Sequence, residues 1–475
     1  MAPVPWTLDD IVSATGGEPV SDGTSASFEG VSIDSRNISP KDLFVAVRGA
    51  RHDGHGFIPE VVASGVRGLV VDRRKAGSEE IVSFRKQGIS CIAVADTVRA
   101  LGDLAAFHRR RFHIPVVAIT GSNGKTSTKE MTASVLGRKY HTLKTIGNLN
   151  NEFGVPLTLL RLDASHEAAV VEMGMNHPGE IRRLSEICQP DYGVITNIAP
   201  AHLEGLGTLD DVMAAKGELM ENIKKTGAIV LNGDDPCGLR LGASASQRVV
   251  YFGQSKDADI RGIDIQTKGF GTQFTLVLPG QAIPAKIQIE IPAPGRFMVS
   301  NALAAAAAGF LAGASAGDIA SGIKAFSPVH GRMNIRKARA GFFIIDDSYN
   351  ANPGSMEAAI KTLVALKGAQ KGVLAAGDMR ELGEDSERLH EGIGCIAAQA
   401  GVDMLFLTGE YAAAVKKGAG KQGMTDDRIV IGEKPDLAAK LLEVLEPGDW
   451  VLVKGSRSVG METVVRLLEE TDSIT

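Results

Sequence analysis

Only four of the 475 residues are cysteine, Cys91, Cys188, Cys237 and Cys395, and no two stand at C-x-x-C spacing. That excludes a cysteine zinc site or a disulfide framework and fits a reducing compartment. Neither sign of charge dominates: 51 Lys and Arg face 56 Asp and Glu, a formal net charge of -5. Nucleic acid and anionic membrane surfaces are therefore not expected as partners. Long apolar runs are missing as well. The longest small-apolar stretch, 302–314, is too short and too alanine-rich to span a bilayer. The first ten residues lack the basic and apolar regions of a signal peptide, so a cytoplasmic protein is expected. No Ser-His-Asp order, Cys–His pairing, G-x-G-x-x-G fingerprint, internal repeat or low-complexity segment emerges. What remains is a chain of 44% hydrophobic and 23% charged residues, long enough for about three domains.

The strongest positive signal is Ala118-Ile-Thr-Gly-Ser-Asn-Gly-Lys-Thr-Ser-Thr128. An apolar run at 116–119 reads as a buried strand, and a helix-favouring run at 129–136 follows the loop. Gly121 and Gly124 let the backbone turn its N–H groups toward one point, Lys125 adds a mobile positive charge, and Thr126 can ligate Mg²⁺. With Ser122, Asn123 and Ser127 these residues make a cradle for a nucleoside triphosphate. Ile119 stands where the usual G-x-x-x-x-G-K-[ST] loop has its first glycine, so the loop is a shortened G-x-x-G-K-T form.

Short apolar runs at 43–47, 66–71 and 89–94 predict strands in a first α/β unit, 1–95. A helix starting near Asp96-Thr97 leads into a central unit, 96–327. Strands at 169–173, 193–196 and 228–231 alternate there with helical patterns, which predicts a mostly parallel sheet wrapped by helices. Residues 258–291 break that rhythm and read as an antiparallel appendage, followed by a helix over 300–311. The last unit, 328–475, is again α/β, with strands expected at 372–376, 404–407, 428–431 and 450–453.

Several polar groups fall at the ends of predicted strands, where open α/β sheets bind ligands. Glu172 ends one strand and can hold Mg²⁺. His202 follows another, and Lys216 lies in a helical pattern. Taken alone, each is more often a solvated surface group. The cluster Asp346-Asp-Ser-Tyr-Asn-Ala-Asn352 is too dense in carboxylates and amides for an ordinary turn. Lys454-Gly-Ser-Arg457 suits carboxylate or phosphate capture.

Together these segments resemble the Mur ligase family of peptidoglycan synthesis, over nearly the whole chain. The resemblance implies three domains: a small UDP-substrate domain, a central ATPase domain with the phosphate loop, and a Rossmann-like C-terminal domain. Gly121 to Thr126 matches the family's G-[TS]-[NS]-G-K-T loop. Glu172 matches its Mg²⁺-binding glutamate, His202 its second-metal histidine, and Lys216 the lysine that it carboxylates with CO₂. Asn301 matches the adenine-side asparagine, Arg332 the arginine at the hinge into the last domain, and Asp347 the ribose-contacting aspartate. In the first domain, Ile33-Asp-Ser-Arg36 and Asp53-Gly-His55 resemble the UDP-sugar boxes and nominate Ser35, Arg36 and Asp53. Tyr349, Asn350, Asn352, Lys454 and Arg457, with Gly377-Asp-Met-Arg-Glu-Leu-Gly383, resemble the branch that adds a dipeptide. The D-N-P-R box of the tripeptide-forming branch is absent, and Phe297-Met298 replaces the family's usual His-Asn.

The function so implied is ATP-driven joining of D-Ala-D-Ala to UDP-N-acetylmuramoyl-tripeptide through an acyl phosphate. The resemblance implies two Mg²⁺ sites, a CO₂ adduct on Lys216 and a monomer whose last domain closes on the central one. Catalytic work would fall to Lys125, Lys216 and His202. Two alternatives stay open: a sibling ligase adding a single amino acid, and a non-catalytic nucleotide-binding switch.

Overall fold

The computed structural model describes every residue except 1–3, 22–26, 50–51, 76–78, 80–82, 84–85, 202, 281–283 and 471–475. Among the described residues the strands form three sheets. The first holds β1 (Glu18–Ser21), β2 (Gly30–Ser32), β3 (Asp42–Val45), β4 (Gly68–Asp72) and β5 (Ser90–Val94) in the order β1-β5-β4-β3-β2. It is parallel except where β1 pairs β5.

The central sheet contains β6 (Val116–Thr120), β7 (Thr142–Lys144), β8 (Ala168–Glu172), β9 (Tyr192–Ile195), β10 (Ala228–Asn232), β11 (Arg248–Gly253), β12 (Ile260–Lys268), β13 (Gly271–Leu278) and β14 (Ala285–Ile291). Their order is β14-β13-β12-β11-β10-β9-β6-β8-β7, so β6 sits between β9 and β8. Every residue of β6 is buried, because helices cover both faces of the sheet. Val117 and Ile119 point into one core, with Met131 and the alanines of the helix Arg296–Leu311. Val116 and Ala118 point into the other, with Val155, Ile181 and Leu184. The helix Arg296–Leu311 is apolar all round, and Ala304 to Ala308 have no exposed surface, which is why it packs inside.

The expected antiparallel appendage is present, since β12 pairs β13 and β13 pairs β14 antiparallel. It is not separate from the sheet: β12 also pairs β11 in parallel and extends it. The helix expected near Asp96 is Thr97–Arg110, capped by Asp96 Oδ1 from Val98 N–H at 2.8 Å and Arg99 N–H at 3.0 Å. Its Leu101 and Leu104 pack on the first sheet, and its Ala105 and Ala106 pack on the central core.

The third sheet holds β15 (Asn334–Lys337), β16 (Phe343–Asp347), β17 (Gly372–Ala376), β18 (Met404–Leu407), β19 (Ile429–Ile431) and β20 (Trp450–Lys454). The order is β15-β16-β20-β17-β18-β19, parallel except for β15. The third sheet meets the central one through side chains. Phe270, at the turn between β12 and β13, packs edge-on against Phe343 at 5.3 Å and Trp450 at 5.7 Å.

Candidate active site

The loop after β6 is shaped by two glycines with positive φ, Gly121 at 144° and Gly124 at 81°. A Cβ on Gly121 would lie 1.9 Å from Thr196 Oγ1, and one on Gly124 would lie 2.2 Å from Asn301 Oδ1, so neither position has room for a side chain. The loop is laced to the segment after β9. Asn123 N–H donates to Asn197 Oδ1 at 3.0 Å, Thr196 Oγ1 donates to Asn123 O, and Ser122 Oγ donates to Ala199 O at 2.8 Å. Lys125 Nζ folds back to donate to Gly121 O at 2.6 Å and Ser122 O at 3.2 Å. Burial lowers the Lys125 pKa to about 8; Glu172 opposes that shift and Arg332 adds to it.

Glu172 ends β8 and is 2% exposed. Its Oε1 accepts from Asn150 Nδ2 at 2.8 Å and from Thr126 Oγ1 at 3.3 Å. Its Oε2 is buried with no hydrogen-bond donor, and Lys129 Nζ stands 3.9 Å away. A buried carboxylate oxygen left without a donor, beside the hydroxyl that opens the helix Lys125–Leu136, is a donor set that fits a hard divalent cation. Among the described residues no three His, Cys, Asp or Glu side chains converge as a metal set. His202 lies outside the described residues; its neighbour Ala201 lines the cavity described below.

Lys216, on the helix Leu209–Gly217, is 1% exposed. Burial first, and the Lys125 charge second, hold its pKa well below the ordinary lysine value. Lys216 does not line the cavity described below.

The C-terminal ends of β16, β17 and β20 face the loop. They lie where the strand order reverses in the third sheet, the usual ligand edge of an open parallel sheet. Asp347 accepts from Met333 N–H at 3.1 Å and from Lys454 Nζ at 2.5 Å. Lys454 Nζ also donates to Asn350 O at 2.9 Å; burial lowers its pKa, and Asp347 opposes the shift. Tyr349 is covered by two guanidinium groups, Arg332 at 4.1 Å and Arg457 at 5.4 Å from the ring centre. Asp346, fully buried, instead accepts from Gly331 N–H at 3.2 Å and from Ser348 Oγ at 2.6 Å.

These groups surround a cavity of about 700 Å³. Ser122 to Ser127, Glu172, Asn301, Arg332, Asp347, Tyr349, Asn350, Asn352, Lys454 and Arg457 all line it. Gly121, at the start of the loop, does not. Phe297 and Met298, where the family pattern differs, line it beside Asn301. Ser35, Arg36 and Asp53 do not reach it. Arg36 pairs with Asp34 at 2.7 Å, and Asp53 caps the turn Gly54–Phe57 while binding His55 Nδ1 at 2.6 Å. Among the wall residues not foreseen are Asn148, Asn150 and Asn151 after β7, and Arg380 and Glu381 after β17. The signal for the first three was the asparagine-rich run Gly147-Asn-Leu-Asn-Asn151. Arg380 and Glu381 stood inside a recognised box with no role assigned.

A family model described as Mur ligase middle domain matches residues 119–309, and one described as Mur ligase, glutamate ligase domain matches 331–457. A third, Mur ligase family, catalytic domain, matches 27–109. Over 466 residues the chain is 37% identical to the UDP-N-acetylmuramoyl-tripeptide--D-alanyl-D-alanine ligase of Escherichia coli (strain K12), with 98% of each chain covered. The chain belongs to the Mur ligase family. Its Mur ligase architecture is matched across the full length by solved structures. The crystal structure I of MurF from Acinetobacter baumannii superposes with a TM-score of 0.89 at 32% identity, covering 99% of this chain and 100% of that one. The MurF ligase from Thermotoga maritima in complex with ADP gives 0.80 at 29% identity, covering 94% and 98%. No helix among the described residues of this Mur ligase is long and apolar enough to cross a membrane.

Proposed function

We propose that this Mur ligase joins D-Ala-D-Ala to UDP-N-acetylmuramoyl-tripeptide at the expense of ATP. The observation that carries the reading is the single cavity in which the phosphate loop of the central sheet faces the Asp347–Asn352 and Lys454–Arg457 segments of the third. The full-length likeness to ligases of that name supports it. The three units then divide the work: 1–95 holds the UDP end, 96–327 the nucleotide, and 328–475 the incoming dipeptide. In this reading the enzyme acts as a monomer in the cytoplasm.

A carboxylate is a poor electrophile, so the γ-phosphoryl group of ATP first passes to the terminal carboxylate of the UDP-linked tripeptide. The amine of D-Ala-D-Ala attacks the acyl phosphate, and inorganic phosphate leaves from the tetrahedral adduct. The loop N–H groups and Lys125 hold the β- and γ-phosphates and spread the charge that develops on them. Protonation favours this role, and phosphate oxygens restore a proton that burial makes easy to lose. Asn301 braces Gly124, while Arg332 and Asp347 hold the nucleoside side.

Thr126 and Glu172 would hold one Mg²⁺, which neutralises phosphate charge when bound. Burial favours the neutral form of the Lys216 amine, the form that adds CO₂; the carbamate, with His202, would offer oxygen and nitrogen ligands to a second Mg²⁺.

The test is an omission series: ADP release with UDP-MurNAc-tripeptide, D-Ala-D-Ala and Mg²⁺, each left out in turn. Turnover that requires all three supports the reading. Equal turnover with a single amino acid in place of the dipeptide would assign a sibling ligase, and ATP turnover independent of both peptides would assign a switch.

A further inference from the structure

His390 is a buried side chain that the mechanism above does not use. It lies on the helix Ser386–Ala400 and is 2% exposed. Both ring nitrogens are engaged by backbone. Nε2 faces Met379 N–H at 2.9 Å, and because a backbone N–H can only donate, that nitrogen carries no proton. The proton is therefore on Nδ1, which donates to Ser386 O at 2.7 Å. The ring stacks on Tyr411 with centroids 4.6 Å apart, so its orientation is held on every side.

Met379 begins the segment that presents Arg380 and Glu381 to the cavity. Glu381 has φ 64°, a left-handed backbone that a non-glycine residue keeps only when its surroundings impose it. The next tie is Arg380 N–H to Ser456 Oγ at 2.8 Å, which stitches this segment to the Lys454–Arg457 box. Beyond it, Glu381 O accepts from Glu204 N–H at 3.3 Å, in the stretch that follows residue 202.

We infer that His390 is a positioning residue: its neutral, Nδ1-protonated ring fixes residues 379–381 so that Arg380 and Glu381 face the incoming dipeptide. This rests on the ligase reading, in which those two charges suit the carboxylate and the ammonium of D-Ala-D-Ala. Protonated imidazole would present a second N–H to Met379 N–H and break the tie. The charged and titratable groups facing the ring are Asp378 and Arg380 on the adjoining loop and Glu410 and Tyr411 before the helix Ala412–Lys421. Burial is the largest influence and lowers the imidazole pKa, so the tie persists at neutral pH and is lost in acid.

The test compares full-length wild type, His390→Leu and His390→Gln in steady-state kinetics across pH. Loss of one buried hydrogen bond that orients the site should raise the dipeptide KM of His390→Leu about tenfold and leave the KM values for ATP and the UDP-substrate unchanged. The glutamine amide oxygen can accept from Met379 N–H, so His390→Gln should recover most of the dipeptide affinity. It should also lack the acid-side rise in dipeptide KM that wild type shows. Equal changes in all three KM values, no change in any, or the same acid-side rise in His390→Gln would overturn the inference. If His390→Leu fails to fold, the pH comparison of His390→Gln with wild type decides alone. If wild type has no dipeptide-dependent turnover, the ligase reading falls, and hydrogen exchange across 379–381 decides the positioning role. Exchange there must then run faster at acid pH, after correction for the intrinsic rate, in wild type and not in His390→Gln; unchanged protection would overturn it.

Discussion

Asn352 Nδ2 donates to Asn123 Oδ1 at 2.8 Å, tying the third sheet's domain directly to the middle of the phosphate loop. The same side chain is the N-cap of the helix Pro353–Lys367, where its Oδ1 accepts from Ser355 N–H at 2.9 Å. One amide thus fixes the start of a helix with its oxygen and joins two domains with its nitrogen. That contact, with Phe270 on Phe343 and Trp450, joins the domains of the central and third sheets.

The two roles of Asn352 separate by substitution. Asn352→Asp keeps the capping oxygen but sets a second oxygen against Asn123 Oδ1. Its melting stability should stay within about 0.5 kcal/mol of wild type, while turnover falls about tenfold. Asn352→Ala loses the cap as well and should cost about 1 kcal/mol of stability. Thermal melts beside steady-state assays check both. An aspartate variant with normal turnover would show that the inter-domain bond does not matter to the site.

Lys125 reaches only its own loop and the cavity, while Ser35, Arg36 and Asp53 lie away from it. Lys125→Ala should therefore lower turnover by at least about 10²–10³-fold. Calorimetry should find the UDP-substrate bound almost as well as by wild type. Equal loss of both would mean that the lysine holds the fold and not the phosphates.

Much of this site was readable from local chemistry. The phosphate loop was legible because two glycines, a lysine and a threonine at fixed spacing encode a backbone path, and Gly121 and Gly124 take the positive φ that such a path needs. Glu172 was legible only through the resemblance to the family, since a strand-end carboxylate taken alone is more often solvated, whereas the fold buries this one. Asn123 was read as a nucleotide contact and lines the cavity, but its backbone and amide also hold Asn197 and Asn352, partners 74 and 229 residues away. No spacing in the sequence encodes those pairings. The short strands β2 and β7, three residues each, carry too little periodicity to be read. The continuity of β12 with β11 was hidden for a related reason: the sheet changes from parallel to antiparallel inside one strand's two edges, and alternation of side chains is the same for both. Lys454, read as an anion-capturing group, has its charge met by Asp347, a partner fixed only by the tertiary fold.

Lys216 offers a test of chemistry beyond packing. A neutral buried amine adds CO₂, whereas a protonated one does not. Lys216→Ala should lose activity severely, and formate or acetate should restore part of it by supplying oxygens where the carbamate would stand. Mass spectrometry of the intact chain under CO₂ should find the adduct on wild type alone. Near-normal turnover of Lys216→Ala would remove this lysine from the metal site.

The central claim is that one cavity activates a carboxylate with ATP and then joins it to an amine. The most direct measurement uses UDP-MurNAc-tripeptide labelled with ¹⁸O in its terminal carboxylate, together with ATP, Mg²⁺ and D-Ala-D-Ala, and analyses both products. The account predicts that each released phosphate carries one ¹⁸O atom from the carboxylate and that the peptide product is extended by the dipeptide. Phosphate free of label, or labelled phosphate with no extended product, would contradict it.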